Sequence, residues 1–402
     1  MQRTYKFRLY PDHNQYKKLD HPLDACRWVY NTMIEKINRE GFQTRNDLNY
    51  FLTELKESGP WLYNHHSKML QMVSTQIDGA QKSLAKLQKN GHKTGSLKFA
   101  RFSKYNTFVY NQSGFAIKDS FLHLSKIGKI KIITHREISE NNTIKQITVS
   151  KSKSGKWHAC VTCDIVEPLI NITKISFVKA VGIDVGIKSF VYDSDEHNTP
   201  NPLNLKKMLK PLARAQRKIS RRVKGSNNRL KAVKHLQRIH EKITNKRKDF
   251  QHKLSSIYAN HYDVIFVEDL QLTNMVKNHK LAQSITDSSW SSFLQKLEYK
   301  CKLLIKVPAR NTTIDCSRCG SKVPKNLAIR IHRCTVCGLV LDRDYNAAIN
   351  ILKKGLKIFN QSKLPQELWE VTPVEITKWS RKQEEATGRP VVVHSVNGEM
   401  IQ

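Results

Sequence analysis

The sequence predicts a multidomain α/β protein: a small β-barrel or sandwich with a bundle of helices inserted into it, then an α/β domain that a cysteine ribbon interrupts. Three observations carry this. Short alternating runs, separated by Gly, Asn and Ser, crowd residues 92–178 after two long helical patterns. Two apolar strand patterns, Ala180-Val-Gly-Ile-Asp-Val-Gly186 and Asp263-Val-Ile-Phe-Val-Glu-Asp-Leu270, are each broken by carboxylates. Two Cys-x-x-Cys pairs, Cys316/Cys319 and Cys334/Cys337, stand fourteen residues apart. With 402 residues, two or three domains can each bury a core.

Charge narrows the partners. Sixty-nine Lys and Arg against 34 Asp and Glu leave a net +35, an excess that suits a polyanion. The sequence shows no charged-then-apolar leader and no apolar run of about 18 residues. The basic helices lack the broad Trp/Leu face of a membrane-surface helix. The expectation is a soluble cytoplasmic protein with no membrane partner. Of eight cysteines, four fall in the two close pairs, as in a metal site of a reducing compartment. Cys26 and Cys301 read as core thiols. Cys160 and Cys163 lie on a strand pattern, where residues three apart point to opposite faces, which argues against a shared metal.

In chain order, residues 3–10 alternate basic and apolar side chains and read as a first strand. Pro22 opens a helix with Leu23, Cys26, Tyr30, Met33 and Ile37 on one face. A second helix runs from Ser67 to Lys89, with Leu70, Val73, Ile77, Ala80, Leu84 and Leu87 as a core stripe. Its opposite side, Lys68, Gln71, Gln76 and Lys82, is either solvated or touches phosphates and base edges. Strands follow at 106–112, 120–125, 128–133, 144–151 and 156–165. The stretch Lys93 to Tyr105 interleaves bases, Lys98 and Arg101 among them, with aromatics, a pattern for stacking and phosphate contact. The barrel is thus assigned 1–11 and 92–178, and the inserted helices 12–91.

In the α/β region, Lys188 to Tyr192 returns as a hairpin strand after Asp184. Two helices joined at Lys224-Gly-Ser-Asn-Asn228 follow. From Leu205 to Leu254 there are 18 Lys/Arg and 2 Asp/Glu, too one-sided for a merely solvated hairpin. Lys218, Arg221, Arg222 and Lys224 are the candidates for a nucleic-acid backbone. Lys277 to Asp287 reads as a loop. Trp290, Phe293, Leu294 and Leu297 form a packed helix stripe, and Ile305-Lys-Val-Pro308 a short strand. The α/β domain is assigned 179–306 and 342–355, and the ribbon 307–341. Residues 356–402, with 6 basic and 6 acidic side chains, read as a loosely ordered tail with one short helix near 365–382.

The cysteine spacing is that of a tetrahedral zinc ribbon. Gly320 and Gly338 follow each pair and let backbone N–H groups turn toward the thiolates. Four protein ligands close such a site, so the Zn²⁺ is structural, and neither Asp315 nor His332 is needed. Three acids stand out by position: Asp184 on a central strand, Glu268 at the end of a second, and Asp344 at the start of a helix, Tyr345 to Lys354. Clustered acids repel one another and are stable chiefly around divalent cations such as Mg²⁺. Two such ions suit phosphodiester hydrolysis. Asp269 faces away from Glu268, and Asp342 reads as a helix cap or supporting residue. The order strand Asp, strand Glu, helix Asp matches the RuvC branch of RNase H-like nucleases.

Taken together, these residues resemble the TnpB family of RNA-guided nucleases encoded by insertion sequences. The likeness rests on Tyr5-Lys-Phe-Arg-Leu-Tyr-Pro11, Cys26-Arg-Trp-Val-Tyr-Asn31, Gly182-Ile-Asp-Val-Gly-Ile-Lys188, Val267-Glu-Asp-Leu270, Gln295-Lys-Leu-Glu-Tyr-Lys300, the ribbon, and Asp342-Arg-Asp-Tyr-Asn-Ala-Ala348. It implies a wedge β-barrel with a helical recognition bundle, and a RuvC nuclease domain with an inserted zinc ribbon. It also implies a guide RNA from the transposon end, a double-stranded DNA target, and a short transposon-adjacent motif. Asp184, Glu268 and Asp344 become the catalytic acids. Tyr50, Gln71 and Tyr110 match the motif readers by position, and 277–287 matches a lid. The protein would act as a monomer or as a homodimer on one RNA. An RNA-guided DNA-binding repressor and a zinc-ribbon transposition accessory are the alternatives, both disfavoured by the intact acids.

Overall fold

The computed structural model describes residues 2–139, 142–165, 179–326 and 329–361. These form two compact units divided within 166–178. In the first, β1 (Gln2–Tyr10) is followed by helices α1 (His13–Glu40), α2 (Arg45–Ser58) and α3 (Ser67–Lys89). Six strands come next: β2 (Thr107–Asn111), β3 (Phe115–Lys118), β4 (Phe121–Leu124), β5 (Gly128–Ile133), β6 (Thr143–Lys151) and β7 (Trp157–Asp164). All seven strands form one sheet in the order β2-β6-β7-β1-β5-β4-β3, a nearly closed barrel. β1 sits in its middle, antiparallel to β7 and β5. The three helices therefore leave the sheet after its central strand and return at its edge. Phe7, Leu9, Phe108, Tyr110 and Trp157 fill the core.

Three details depart from the sequence reading. Helix α1 starts nine residues before Pro22, because Asp12 and Gln15 close a reciprocal capping box at 2.8 and 2.9 Å. Pro22 lies inside the helix, where it has no N–H to give the carbonyl four residues back. Helix α2 is additional to the two helices that the sequence pattern predicts: Thr44 and Asp47 cap it, and Leu48, Leu52 and Leu55 are its buried face. The α3 stripe runs out early: Leu84 is half-buried and Leu87 is exposed.

The second unit begins with β8 (Ala180–Val185), β9 (Ser189–Asp193) and β10 (Asn198–Pro200). The basic helices α4 (Leu209–Ser220) and α5 (Asn227–His261) lead to β11 (Val264–Glu268). After α6 (Leu272–Met275), α7 (His279–Ser288) and α8 (Trp290–Glu298) come β12 (Leu303–Val307), the ribbon hairpin β13 (Ile331–Arg333) and β14 (Val340–Asp342), and α9 (Arg343–Gln361). The sheet order is β10-β9-β8-β11-β12, with β8, β11 and β12 parallel. Strand alternation sorts its two faces. Val181, Ile183, Ile265 and Val267 pack with Leu254, Tyr258, Trp290, Phe293 and Leu297. Ala180, Val264, Phe266 and Val307 pack with Ile351, Leu356 and Phe359 of α9.

Two more segments differ from the sequence expectation. Most of 277–287 is helix α7, not a loop. Asn278 caps it, Ile285 is buried, and the buried Asp287 accepts from Leu205 N–H at 2.9 Å and from Arg247 at 2.8 Å. Local sequence carries little of this, since the contacts that hold α7 come from α5 and from 205. The last helix runs on to Gln361, so Leu356 and Phe359 belong to the core and not to a tail. The helix expected near 365–382 lies outside the described residues.

Helix α9 approaches the sheet closely. A Cβ on Gly182 would meet Ala348 O at 2.3 Å and Leu352 N at 2.6 Å, and a Cβ on Gly355 would meet the Phe266 ring at 2.0 Å. Alanine normally favours a helix over glycine by about 1 kcal/mol. Gly355→Ala is nevertheless expected to lower stability by about 1–3 kcal/mol, the usual cost of overpacking. Gly79→Ala in α3, where a Cβ meets nothing within 4 Å, should be neutral or stabilising. Urea melts of the two variants check the contrast, and equal effects would refute the tight seat.

Candidate active site

Parallel pairing of β8 and β11, with Val267 opposite Ile183, sets Glu268 beside Asp184. Both acids project from the sheet face that bears Gly182 and Phe266, the face α9 covers. On α9, Asp344 lies in the first turn. It shares one helical face with Ala348, Ile351, Gly355 and Phe359, spaced three or four apart. Asp342 is the cap, accepting from Asp344 N–H at 2.8 Å. The capping geometry and the glycine contacts thus bring a helix acid to two strand acids.

Charge links the three acids at Asp184. Burial holds the Asp184 carboxyl well above the usual carboxylate range. The negative charges of Glu268 and Asp344 push the same way, against Arg343 and the Val185 N–H. Burial also raises Glu268, opposed by the Thr312 hydroxyl and by Lys354. Asp344 is held by arginines instead. Arg343 donates to Oδ1 through Nε at 3.1 Å and Nη2 at 3.0 Å, and Arg330 to Oδ2 at 3.3 Å. Buried Asp184 and Asp344 and half-buried Glu268, at two strand positions and a helix start, form a donor set suited to hard divalent cations.

The four ribbon thiols lie within 4.8 Å of one another, with 3.6 Å between Cys316 and Cys337 and between Cys319 and Cys334. Tetrahedral zinc with bonds of about 2.3 Å needs sulfurs about 3.8 Å apart, which this cluster fits. Gly320 and Gly338 have φ of +78° and +74°, and their N–H groups reach back to the carbonyls of Cys316 and Cys334. Ser321 donates to the Cys319 sulfur and draws its pKa down to about 6, toward the thiolate that a metal requires. His332 is buried against Lys325, and Asp315 likewise lies outside the cluster. Among the described residues, this is the group of His, Cys, Asp or Glu side chains gathered tightly enough to hold one ion.

Sequence reasoning missed the residues that tie ribbon to helix. Asn346 accepts from Ser317 N–H at 2.9 Å and donates to Asp315 O at 2.9 Å. Asn350 donates to Thr312 O at 2.8 Å and to Asp315 O at 2.7 Å. Two buried asparagines four apart on an otherwise apolar helix face were the available signal. Thr312, Arg330 and Arg343 gave none that stood out from a polar, basic background.

The chain was compared with known proteins. Residues 172–279 match the family model described as "Probable transposase", 290–351 match the "Cas12f1-like, TNB domain", and 1–41 match a "Helix-turn-helix domain". In the last region the fold is a strand and one continuous helix. A Streptomyces pristinaespiralis protein, provisionally named an RNA-guided DNA endonuclease, is 33% identical over 381 residues, 89% of this chain and 90% of that one. The chain belongs to the TnpB family. An Escherichia coli protein with the same provisional name is 28% identical over 88% of this chain and 92% of its own length. The CRISPR-associated endodeoxyribonuclease Cas12f1 of Sulfoacidibacillus thermotolerans is 24% identical over 50% of this chain and 51% of its own.

For this TnpB-family chain, the nucleic-acid candidates divide by exposure. Tyr50 and Gln71 are open to solvent. Tyr110 is not. Strand parity turns it inward with Phe108, its hydroxyl donates to Ser125 O at 2.7 Å, and His66 stacks on its ring. It is withdrawn as a DNA contact. Lys98 and Arg101 are exposed beside exposed Phe99 and Phe102. Lys218, Arg221 and Arg222 join Arg214 and Arg217 around a cavity of about 480 Å³, and Lys224 is exposed in the turn beyond.

Two outcomes are expected. The folded pKa of Asp184 is raised, so the folded state binds more protons than the unfolded one. The stability linked to Asp184 is therefore present below the ordinary Asp pKa and is lost as pH rises toward the folded value. Asp184→Asn should accordingly melt higher than wild type at pH 7 in EDTA and no higher at pH 4; equal melting at both would count against the buried cluster. Separately, elemental analysis should find one zinc per chain in the wild type. Cys334→Ser should lose it and melt lower, structural zinc binding being worth on the order of 10 kcal/mol.

Proposed function

We propose that this chain is an RNA-guided DNA endonuclease of a transposable element. In this reading it cuts guide-matched double-stranded DNA beside a short transposon-adjacent motif, in the cytoplasm. Among the described residues no helix is long and apolar enough to cross a membrane. The observation that supports the reading is that Asp184 and Glu268 share the sheet face that α9 covers, with Asp344 in the first turn of that helix and the like charges of Glu268 and Asp344 both acting on Asp184. Family membership supports the RNA guide, since two relatives matched over most of their length carry that description in their names.

Asp184, Glu268 and Asp344 would hold two Mg²⁺ ions, which when bound supply Lewis acidity and an activated water. The chain's own residues do the rest. The paired strands and α9 fix the acids, so the site needs little reorganisation when charge develops on the phosphate. Arg343 and Arg330 hold the Asp344 carboxylate in place and compensate its charge. The four ribbon thiolates would hold one structural Zn²⁺. The basic α4–α5 hairpin, the loop with Lys98 and Arg101, and exposed Tyr50 and Gln71 would meet the nucleic-acid partners, with base pairing supplying sequence choice. The barrel with its inserted helices acts as wedge and recognition bundle, and the second unit as the RuvC domain with its ribbon.

The test is cleavage of plasmids that carry a guide match beside a randomised motif, by protein copurified with its own RNA. The wild type is expected to cut only with Mg²⁺ and only beside a defined motif. Asp184→Ala and Asp344→Asn should each lower the rate on the order of a thousandfold or more, as residues acting as one unit do. RNA-dependent DNA binding without cutting by any of the proteins would favour a repressor instead.

A further inference from the structure

The loop between β12 and the first cysteine pair carries a buried hydroxyl. Thr312 is 2% exposed, and its Oγ1 donates to Glu268 Oε1, with Ala309 O at 3.1 Å. A hydroxyl has one proton to give, and the carboxylate is the stronger acceptor of the two. One oxygen of Glu268 is therefore tied, and the carboxylate is kept from rotating about its terminal torsion, which is otherwise broad.

Thr312 is itself held from α9. Asn350 donates to its carbonyl, Asn346 and Asn350 both donate to Asp315 O, and Asn346 accepts from Ser317 N–H. Lys353 and Lys354 reach Ser317 O and Arg310 O. The segment from 310 to 317 is thus stitched along the helix that carries Asp344, and it includes Cys316, the first ribbon thiol. Asn346, Asn350, Ser317 and Cys316 are all buried. The stitching places both the Thr312 hydroxyl and Asp344 with respect to Glu268.

We propose that Thr312 is a positioning residue that fixes the Glu268 carboxylate for divalent-cation binding, and that the ribbon and α9 set its place through Asn346 and Asn350. This rests on the nuclease reading above. Residues that orient metal-binding side chains typically change metal affinity by about 10–100-fold when removed.

The test uses the full chain with its guide RNA and target DNA. Binding of Mn²⁺ is followed by the EPR signal of the free ion, and cleavage is measured across Mg²⁺ concentrations. Thr312→Val keeps the shape and loses the donor; Thr312→Ser keeps the donor. Glu268→Gln gives the baseline for a damaged site, and a thermal melt reports folding. Thr312→Val is expected to bind Mn²⁺ about tenfold more weakly, to cut slowly at low Mg²⁺, and to recover as Mg²⁺ rises. Thr312→Ser should match the wild type in both assays. Wild-type Mn²⁺ affinity in a folded Thr312→Val, or no rescue by Thr312→Ser, overturns the inference while the nuclease reading stands. A wild type that neither binds Mn²⁺ nor cuts overturns both.

Discussion

Helix α9 rests on β8 and β11 so closely that neither Gly182 nor Gly355 has room for a methyl group. The candidate site depends on this contact. Asp184 is two residues from Gly182 along β8, and Glu268 is two residues from Phe266, which receives Gly355, along β11, on the same sheet face. The seat that packs the helix therefore also sets where its first turn, and Asp344, meets the strand acids. Apolar packing of Ile351, Leu356 and Phe359 against Val264, Phe266 and Val307 drives the contact, and the glycines set its depth.

That arrangement works against the ionisation of the strand acids. Two of the three acids are pushed toward their neutral forms by burial, and like charges add to the push for Asp184. Arg343 and Arg330 compensate Asp344, while the Thr312 hydroxyl and Lys354 act on Glu268. Most of these groups belong to the ribbon, its entry loop or α9. In the proposed reading this gives the ribbon a physical role in the site: a metal closing the four-thiolate clip would hold in register the loops that supply Arg330 and Thr312.

What could be read from the sequence follows from how local the determining physics is. Asp184 and Glu268 were legible because a carboxylate inside an apolar strand is costly and rare. The ribbon was legible because four thiols at that spacing have few other uses. The capping box at Asp12 was equally local, but Pro22 drew the helix start away from it. Helix α7 was missed because its partners, Leu205 and Arg247, are distant in sequence. Tyr110 was misjudged because matching a family position ignores strand parity, which places it beside Phe108 in the core. Thr312, one threonine in a polar loop, becomes visible only when the fold brings it to Glu268, 44 residues away in sequence.

The most direct test of the account is affinity cleavage by iron. With Fe²⁺ replacing Mg²⁺ in the assembled protein, RNA and DNA complex, and with hydrogen peroxide and ascorbate added, reduction of peroxide at the bound ion releases hydroxyl radicals that cut the backbone next to its ligands, and mass spectrometry maps the breaks. Breaks are expected around residues 184, 268 and 344 together, all suppressed by excess Mg²⁺. Breaks confined to other segments, with those three intact, would contradict it.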